Sequence, residues 1–109
     1  MSEYDVFLAD CPARTTLTLV GDTWSVVVIM ALGEQNRRYG ELLERIGGIS
    51  KKMLTQTLRK LQRNALVEPD PPGYRLTELG SSLLDVVRVL AEWAEQHAEV
   101  VLTDRPAAV

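Results

Sequence analysis

The chain lacks the residues that staple small proteins. Among its 109 residues there is one cysteine, Cys11, and one histidine, His97. A lone cysteine excludes an intramolecular disulfide, and together with a single histidine it excludes a zinc site of the usual Cys/His kind. Long hydrophobic runs are missing too. The longest, Val26 to Leu32, has seven residues, against the roughly 20 that span a bilayer. No basic, then apolar, then small-residue start reads as a signal peptide. The expectation is a cytoplasmic protein with no membrane partner, in which the thiol stays reduced. No carboxylate pair or nucleophile–base pair stands in a credible context, and Gly47-Gly48 is too short for a phosphate loop and follows no strand. The chain therefore reads as a non-enzyme with no metal and no cofactor. A surplus of positive charge is also absent: 12 Lys and Arg stand against 15 Asp and Glu, a net charge of −3 with a pI near 5.1. Taken as a total, that argues against a nucleic-acid partner, so the total has to be divided by region.

What is present is one domain's worth of ordinary globular sequence, 46% hydrophobic and 25% charged, long enough for one modest core. Residues 1–9 read as an N-terminal arm, 10–102 as the folded domain and 103–109 as a flexible tail. Pro12 suits the first turn of a helix running to about Val20, which Gly21 stops. Asp22 then caps a second helix whose apolar residues Trp24, Val27, Val28, Met30, Ala31 and Leu32 wrap more than one face, placing it in the middle of the fold. Gly33 to Tyr39 is a polar connection carrying Arg37 and Arg38. A short third helix opens at Gly40-Glu41, turns Leu42, Leu43 and Ile46 inward, and ends at Gly47-Gly48.

Ser50 caps a fourth helix from Lys51 to about Asn64, with Met53, Leu54, Leu58 and Leu61 on one stripe. Lys51, Lys52, Thr55, Gln56, Arg59, Lys60 and Arg63 fall mainly on the other face. Asn64 is expected to take the left-handed conformation that ends this helix. Leu66–Glu68 and Tyr74–Leu76 are short strands flanking a turn over Pro69–Gly73. Thr77 caps a last helix, Glu78 to about Leu102, whose apolar arc is too wide for one packing surface. One side of it is expected to face the domain and the other a second copy of the chain, with Leu17, Val86, Leu90 and Trp93 as the candidate dimer interface. Trp24 and Trp93 read as core and dimer anchors, although a flat apolar pocket between them could accept an aromatic effector. His97 reads as surface decoration near a helix end.

This order predicts a mainly α fold with a small β-hairpin (α+β), a winged helix-turn-helix with a long C-terminal dimerisation helix. A two-turn helix, a tight glycine-bearing connection and a second helix at a steep angle let that second helix project into a major groove about 12 Å wide. The regional charge agrees. Residues 34–65 hold eight bases against three acids, a net +5, leaving four bases and twelve acids, a net −8, for the rest. An acidic body carries a basic module whose partner is double-stranded DNA. Ser50, Lys51, Thr55, Gln56 and Arg59 are the candidates for the groove side, with Lys52, Arg63, Arg37 and Arg38 for phosphates.

The residues also resemble the HxlR-type winged helix-turn-helix regulators of bacteria, relatives of the MarR group. The matching stretches are Cys11-Pro12, Gly21-Asp22-Thr23-Trp24, Arg38-Tyr39-Gly40-Glu41-Leu42, the block from Gly48 to Leu61 with its Ile-Ser-x-x-Met-Leu-Thr-Gln core, Leu66-Val67-Glu68, Tyr74 to Gly80, and Leu90-Ala91-Glu92-Trp93. The resemblance implies a homodimer joined through the first and last helices, a near-palindromic operator and a response to a small electrophile or oxidant. It also implies that Cys11 is a redox-sensing residue. The helix N-terminus beside it would favour a thiolate, while the plainer reading is a small buried hydrophobe. Two departures stand out. The hairpin is several residues shorter than the family pattern, with Glu68 and Asp70 and no long basic wing, and Ala65 stands where glycine is expected. The acidic hairpin leaves an alternative open, a winged-helix dimer that serves as a protein-interaction module with weak or lost DNA binding.

Overall fold

The structure, a computed structural model, describes residues 4–102. The first three residues of the expected arm and the whole of the expected tail, 103–109, lie outside the described residues. Asp22 organises the first turn of the domain. It stands extended between α1 (Ala13–Gly21) and α2 (Thr23–Glu34), which meet at 86°. Its carboxylate accepts the Trp24 N–H at 3.2 Å and the Ser25 hydroxyl at 2.9 Å, satisfying a donor that the helix start leaves without a partner. With Val28, Ile29, Ala31 and Leu32 all buried, α2 packs against the first, third, fourth and fifth helices and the second strand of the hairpin. It runs through Gly33 instead of breaking there. A Cβ at Gly33 would lie 2.5 Å from Leu84 Cδ2, so this glycine serves close packing of two helices and not a turn.

The third helix, α3 (Tyr39–Arg45), opens one residue before Gly40, with the Glu41 carboxylate accepting the Arg38 N–H at 2.8 Å. Beyond it Gly48 has φ +86°, a conformation that costs a residue with a Cβ but not glycine. That turn delivers the chain into α4 (Lys51–Arg63), where the Ser50 hydroxyl accepts the Met53 N–H at 3.0 Å. Leu54, Leu58 and Leu61 are buried beneath it, as is Thr57. The left-handed residue after α4 is Ala65, at φ 59°, and not Asn64, which sits at φ −94°. The reason is visible in the bonding. Leu66 N–H reaches Leu61 O and Ala65 N–H reaches Gln62 O, both at 3.0 Å, the paired bonds of a Schellman end in which the left-handed position lies one residue beyond the cap.

Strands β1 (Val67–Asp70) and β2 (Gly73–Leu76) pair antiparallel with Val67 opposite Leu76 and Asp70 opposite Gly73. The turn is therefore Pro71-Pro72 alone, and Pro69, Asp70 and Gly73, expected within it, belong to the strands. Pro69 is tolerated because Tyr74 opposite it sends its N–H and C=O the other way, to Arg37, at 2.8 and 3.2 Å, so no ladder bond is asked of the proline. Thr77 caps α5 (Glu78–Gln96) by accepting the Gly80 N–H. The expected single helix to Leu102 is two, because the chain bends at His97 before α6 (Ala98–Leu102). The His97 ring stacks on Trp93 at 4.5 Å between centroids, and its Nδ1 lies 2.8 Å from the Trp93 carbonyl, occupying the helix end. No single described helix is long and apolar enough to cross a membrane. The radius of gyration is 15.6 Å, against about 13 Å for a compact chain of this length. An elongated form of that kind leaves apolar surface uncovered on α5.

Candidate nucleic-acid interface

Successive exposed positions on one face of α4 bring together most of the residues that the sequence singles out. Ser50, Lys51, Lys52, Gln56, Arg59 and Arg63 are exposed and Thr55 is half-buried, with exposed Arg38 at the start of α3. The helix is held at its base by two contacts that residue spacing could not have revealed, because the partners are far apart in the chain. The Tyr39 hydroxyl donates to Lys51 O at 2.8 Å and lies 3.0 Å from Thr55 Oγ1, joining α3 to α4. Lys60 pairs with the Asp22 carboxylate, joining α4 to the start of α2. The Lys60 ammonium, with the Ser25 hydroxyl and the Trp24 N–H, holds the Asp22 carboxyl below the usual carboxylate range, against partial burial.

Arg37 is placed differently from its neighbours. Its side chain is 12% exposed, and it donates from Nε to Ala31 O at 2.9 Å and pairs with Glu34 at 2.6 Å. Arg45 reaches the same carboxylate with two bonds of 2.8 Å. The Arg45 guanidinium, helped by Arg37, lowers Glu34 to about 2. The eight bases of residues 34–65 thus divide by role. Arg37, Arg45 and Lys60 are engaged with acids of the body, while Arg38, Lys51, Lys52, Arg59 and Arg63 make no ion pair among the described residues.

The other candidate residues lie elsewhere. Cys11 is buried, in the turn before α1 where its N–H bonds Leu8 O at 3.1 Å. In the same region Arg14 holds the arm through the carbonyls of Val6 and Phe7, at 2.7 and 2.9 Å. Leu17, Val86, Leu90 and Trp93 are all exposed, and so are Leu79 and Val89, which were not among the expected interface residues. Leu79, Val86, Leu90 and Trp93 recur at helical spacing along α5 and form one apolar stripe.

A short helix, a glycine turn, a projecting basic helix and a hairpin completed by a backbone bridge define the class, a winged helix-turn-helix DNA-binding protein. Within that class the chain belongs to the HxlR-like helix-turn-helix family, whose model matches residues 19–101, and it is a transcriptional regulator of the helix-turn-helix type. It is similar to the uncharacterized HTH-type transcriptional regulator YtfH of Escherichia coli (strain K12), 35% identical over 112 residues that cover 96% of this chain and 89% of that one. Among solved structures it resembles the ytfH regulator from Salmonella typhimurium, with a TM-score of 0.80 at 34% identity, covering 92% of this chain and 96% of that one. It also resembles the quinone-bound YodB from Bacillus subtilis, with a TM-score of 0.70 at 34% identity, covering 77% and 96%.

Proposed function

We propose that the protein is a homodimer that binds a near-palindromic operator, with α4 of each protomer in successive major grooves about 34–36 Å apart. The observation that carries this reading is the sorting of the bases: five without an acid partner among the described residues lie on α4 and at the start of α3, while three are engaged by the body. Ser50, Lys51, Thr55, Gln56 and Arg59 face the base edges, and Lys52, Arg63 and Arg38 the phosphates. Arg37 supports the wing and the end of α2 and is not among the contacts. The apolar stripe of α5 with Leu17 of α1 is the dimer seam.

Three phosphate contacts per protomer, six per dimer, correspond to a log–log salt slope of about −5. Fluorescence anisotropy on a duplex from the region upstream of the gene, across a salt series, tests this. Arg38→Ala should weaken all sequences alike and reduce the slope, whereas Arg59→Ala or Gln56→Ala should relax base preference. A protein-interaction module would bind neither this duplex nor a random one in a salt-sensitive way, and that result overturns the reading.

The similarity to quinone-bound YodB supports a response through Cys11. The thiol would add to a quinone ring carbon, forming a C–S bond, with the thiol proton passing to one quinone oxygen and the C–H proton of the attacked carbon to the other, so that the ring becomes a hydroquinone thioether with no external oxidant or reductant. Because Cys11 is 7% exposed, the turn held by Leu8 and Arg14 has to open first. Cys11→Ser should abolish the change in DNA affinity on adding benzoquinone, and an unchanged response refutes the sensor.

A further inference from the structure

An open cleft of about 630 Å³ lies between α2, the end of α3 and α5, away from Cys11 and from the exposed face of α4. Its size is within the range of small-molecule sites. One wall is apolar, from Trp24, Val27 and Met30, and the rim carries Arg45, Arg88 and Glu34. The single carboxylate is already engaged by Arg37 and Arg45. Arg88 makes only one long contact, 3.4 Å to Gly33 O, and no ion pair among the described residues. The cleft therefore pairs a flat apolar wall with uncompensated positive charge. We infer that it binds a small aromatic carboxylate, with the ring on Trp24 and Met30 and the anion on Arg88 and Arg45.

Dimerisation through the α5 stripe leaves this cleft open. Arg88 lies two residues from Val86, about 200° around the helix, and so faces away from the proposed seam. The site is also placed to act on the reading helix. Arg45 is the last residue of α3, Ile46 and Gly47 line the cleft, and the Trp24 ring lies 3.9 Å from the position of a Cβ on Gly48. An anion competing with Glu34 for Arg45 would disturb the turn that aims α4. This consequence for DNA rests on the regulator reading; the binding itself does not.

The test uses the full chain labelled with 15N and titrated with benzoate, with benzyl alcohol as the neutral match and acetate at equal ionic strength. The expected result is a saturable shift of the Trp24 indole N–H by benzoate alone. It should weaken about tenfold in Arg88→Gln, as for loss of a charge-assisted hydrogen bond, and recover in Arg88→Lys. No saturable shift, equal binding of benzyl alcohol, or an unchanged Arg88→Gln would overturn the inference. DNA affinity measured in parallel should fall with benzoate and not with acetate. Binding at Trp24 with unaltered DNA affinity would overturn the coupling, and absence of any DNA complex without benzoate would instead count against the regulator.

Discussion

Ala65 pays for the end of α4 with an unfavourable backbone. The Schellman end needs a left-handed residue there, and Ala65 supplies it at φ 59°. For a residue with a Cβ that conformation costs about 1–2 kcal/mol. Glycine would remove the cost but give the unfolded chain more freedom, worth about 0.4–1 kcal/mol in the opposite direction. Ala65 is exposed, so its methyl contributes little packing to lose. The balance predicts that Ala65→Gly stabilises the folded state by about 0.5–1 kcal/mol, near 3–6 °C in Tm for a domain of this size. Urea unfolding at one fixed protein concentration measures it, since dimerisation would make the midpoint concentration-dependent. Two companions make the reasoning specific. Ala65→Val should destabilise, because a β-branched side chain tolerates positive φ least. Asn64→Gly should also destabilise, because Asn64 sits at φ −94° and donates its side-chain N–H to Lys60 O at 2.8 Å. If Asn64→Gly stabilised the protein and Ala65→Gly did not, the assignment of the left-handed residue would be refuted.

Three further outcomes are expected. Asp22→Ala removes the cap of α2, leaves the buried Ser25 hydroxyl without its acceptor and frees Lys60. Its cost should be about 2–4 kcal/mol by chemical unfolding, mostly recovered in Asp22→Asn. Glu34, lowered from 4.5 to about 2 by Arg45 and Arg37, should contribute stability that is present above about pH 4.5 and lost as pH falls toward 2, because the unfolded chain takes up the proton first. Glu34→Gln should flatten that part of the acid limb, and salt should shrink the difference, since the carboxylate is 43% exposed. If the proposed dimer forms through the α5 stripe, Trp93→Glu, at a side chain half-exposed in the isolated chain, should convert it to monomer in sedimentation at micromolar concentration while far-UV CD stays unchanged; a persistent dimer would locate the seam elsewhere.

The elements readable from sequence were those written in local chemistry. Asp22, Ser50 and Thr77 each cap the helix that the cap residue announces, and the stripe of Leu54, Leu58 and Leu61 identifies the buried side of α4. What escaped depends on contacts between distant residues. Gly33 reads as a stop, yet Leu84 is packed where its Cβ would be. Pro69 reads as a turn, yet the Arg37 backbone on the far edge of β2 makes the strand acceptable. Arg37 and Arg38 are indistinguishable neighbours in the sequence, and only the position of Ala31 O and Glu34 separates an architectural arginine from a free one. Tyr39 falls at helical spacing with Leu42, Leu43 and Ile46 and so on the inward face of α3, but nothing in that spacing indicates that its hydroxyl braces α4.

The same distinction alters the meaning of the short acidic wing. Counted along the chain, Glu68 and Asp70 would repel a phosphate backbone. In the fold, Arg75 pairs with Glu68 at 2.6 Å, and Asn36 donates to Asp70 at 2.8 Å. The Arg75 guanidinium is held above its ordinary range, chiefly by Glu68 and further by Asp70. The wing therefore presents one uncompensated negative charge instead of two, and no free base. At an ionic strength of 0.15 M, where a charge is screened over about 8 Å, such a wing neither attracts nor strongly repels the duplex. Its energetic part is then to hold Arg37 and the α2–α3 connection through the Tyr74 bridge. On the proposed function, electrostatic affinity falls to Arg38 and α4, and two copies of that face acting on one duplex would double the number of phosphate contacts.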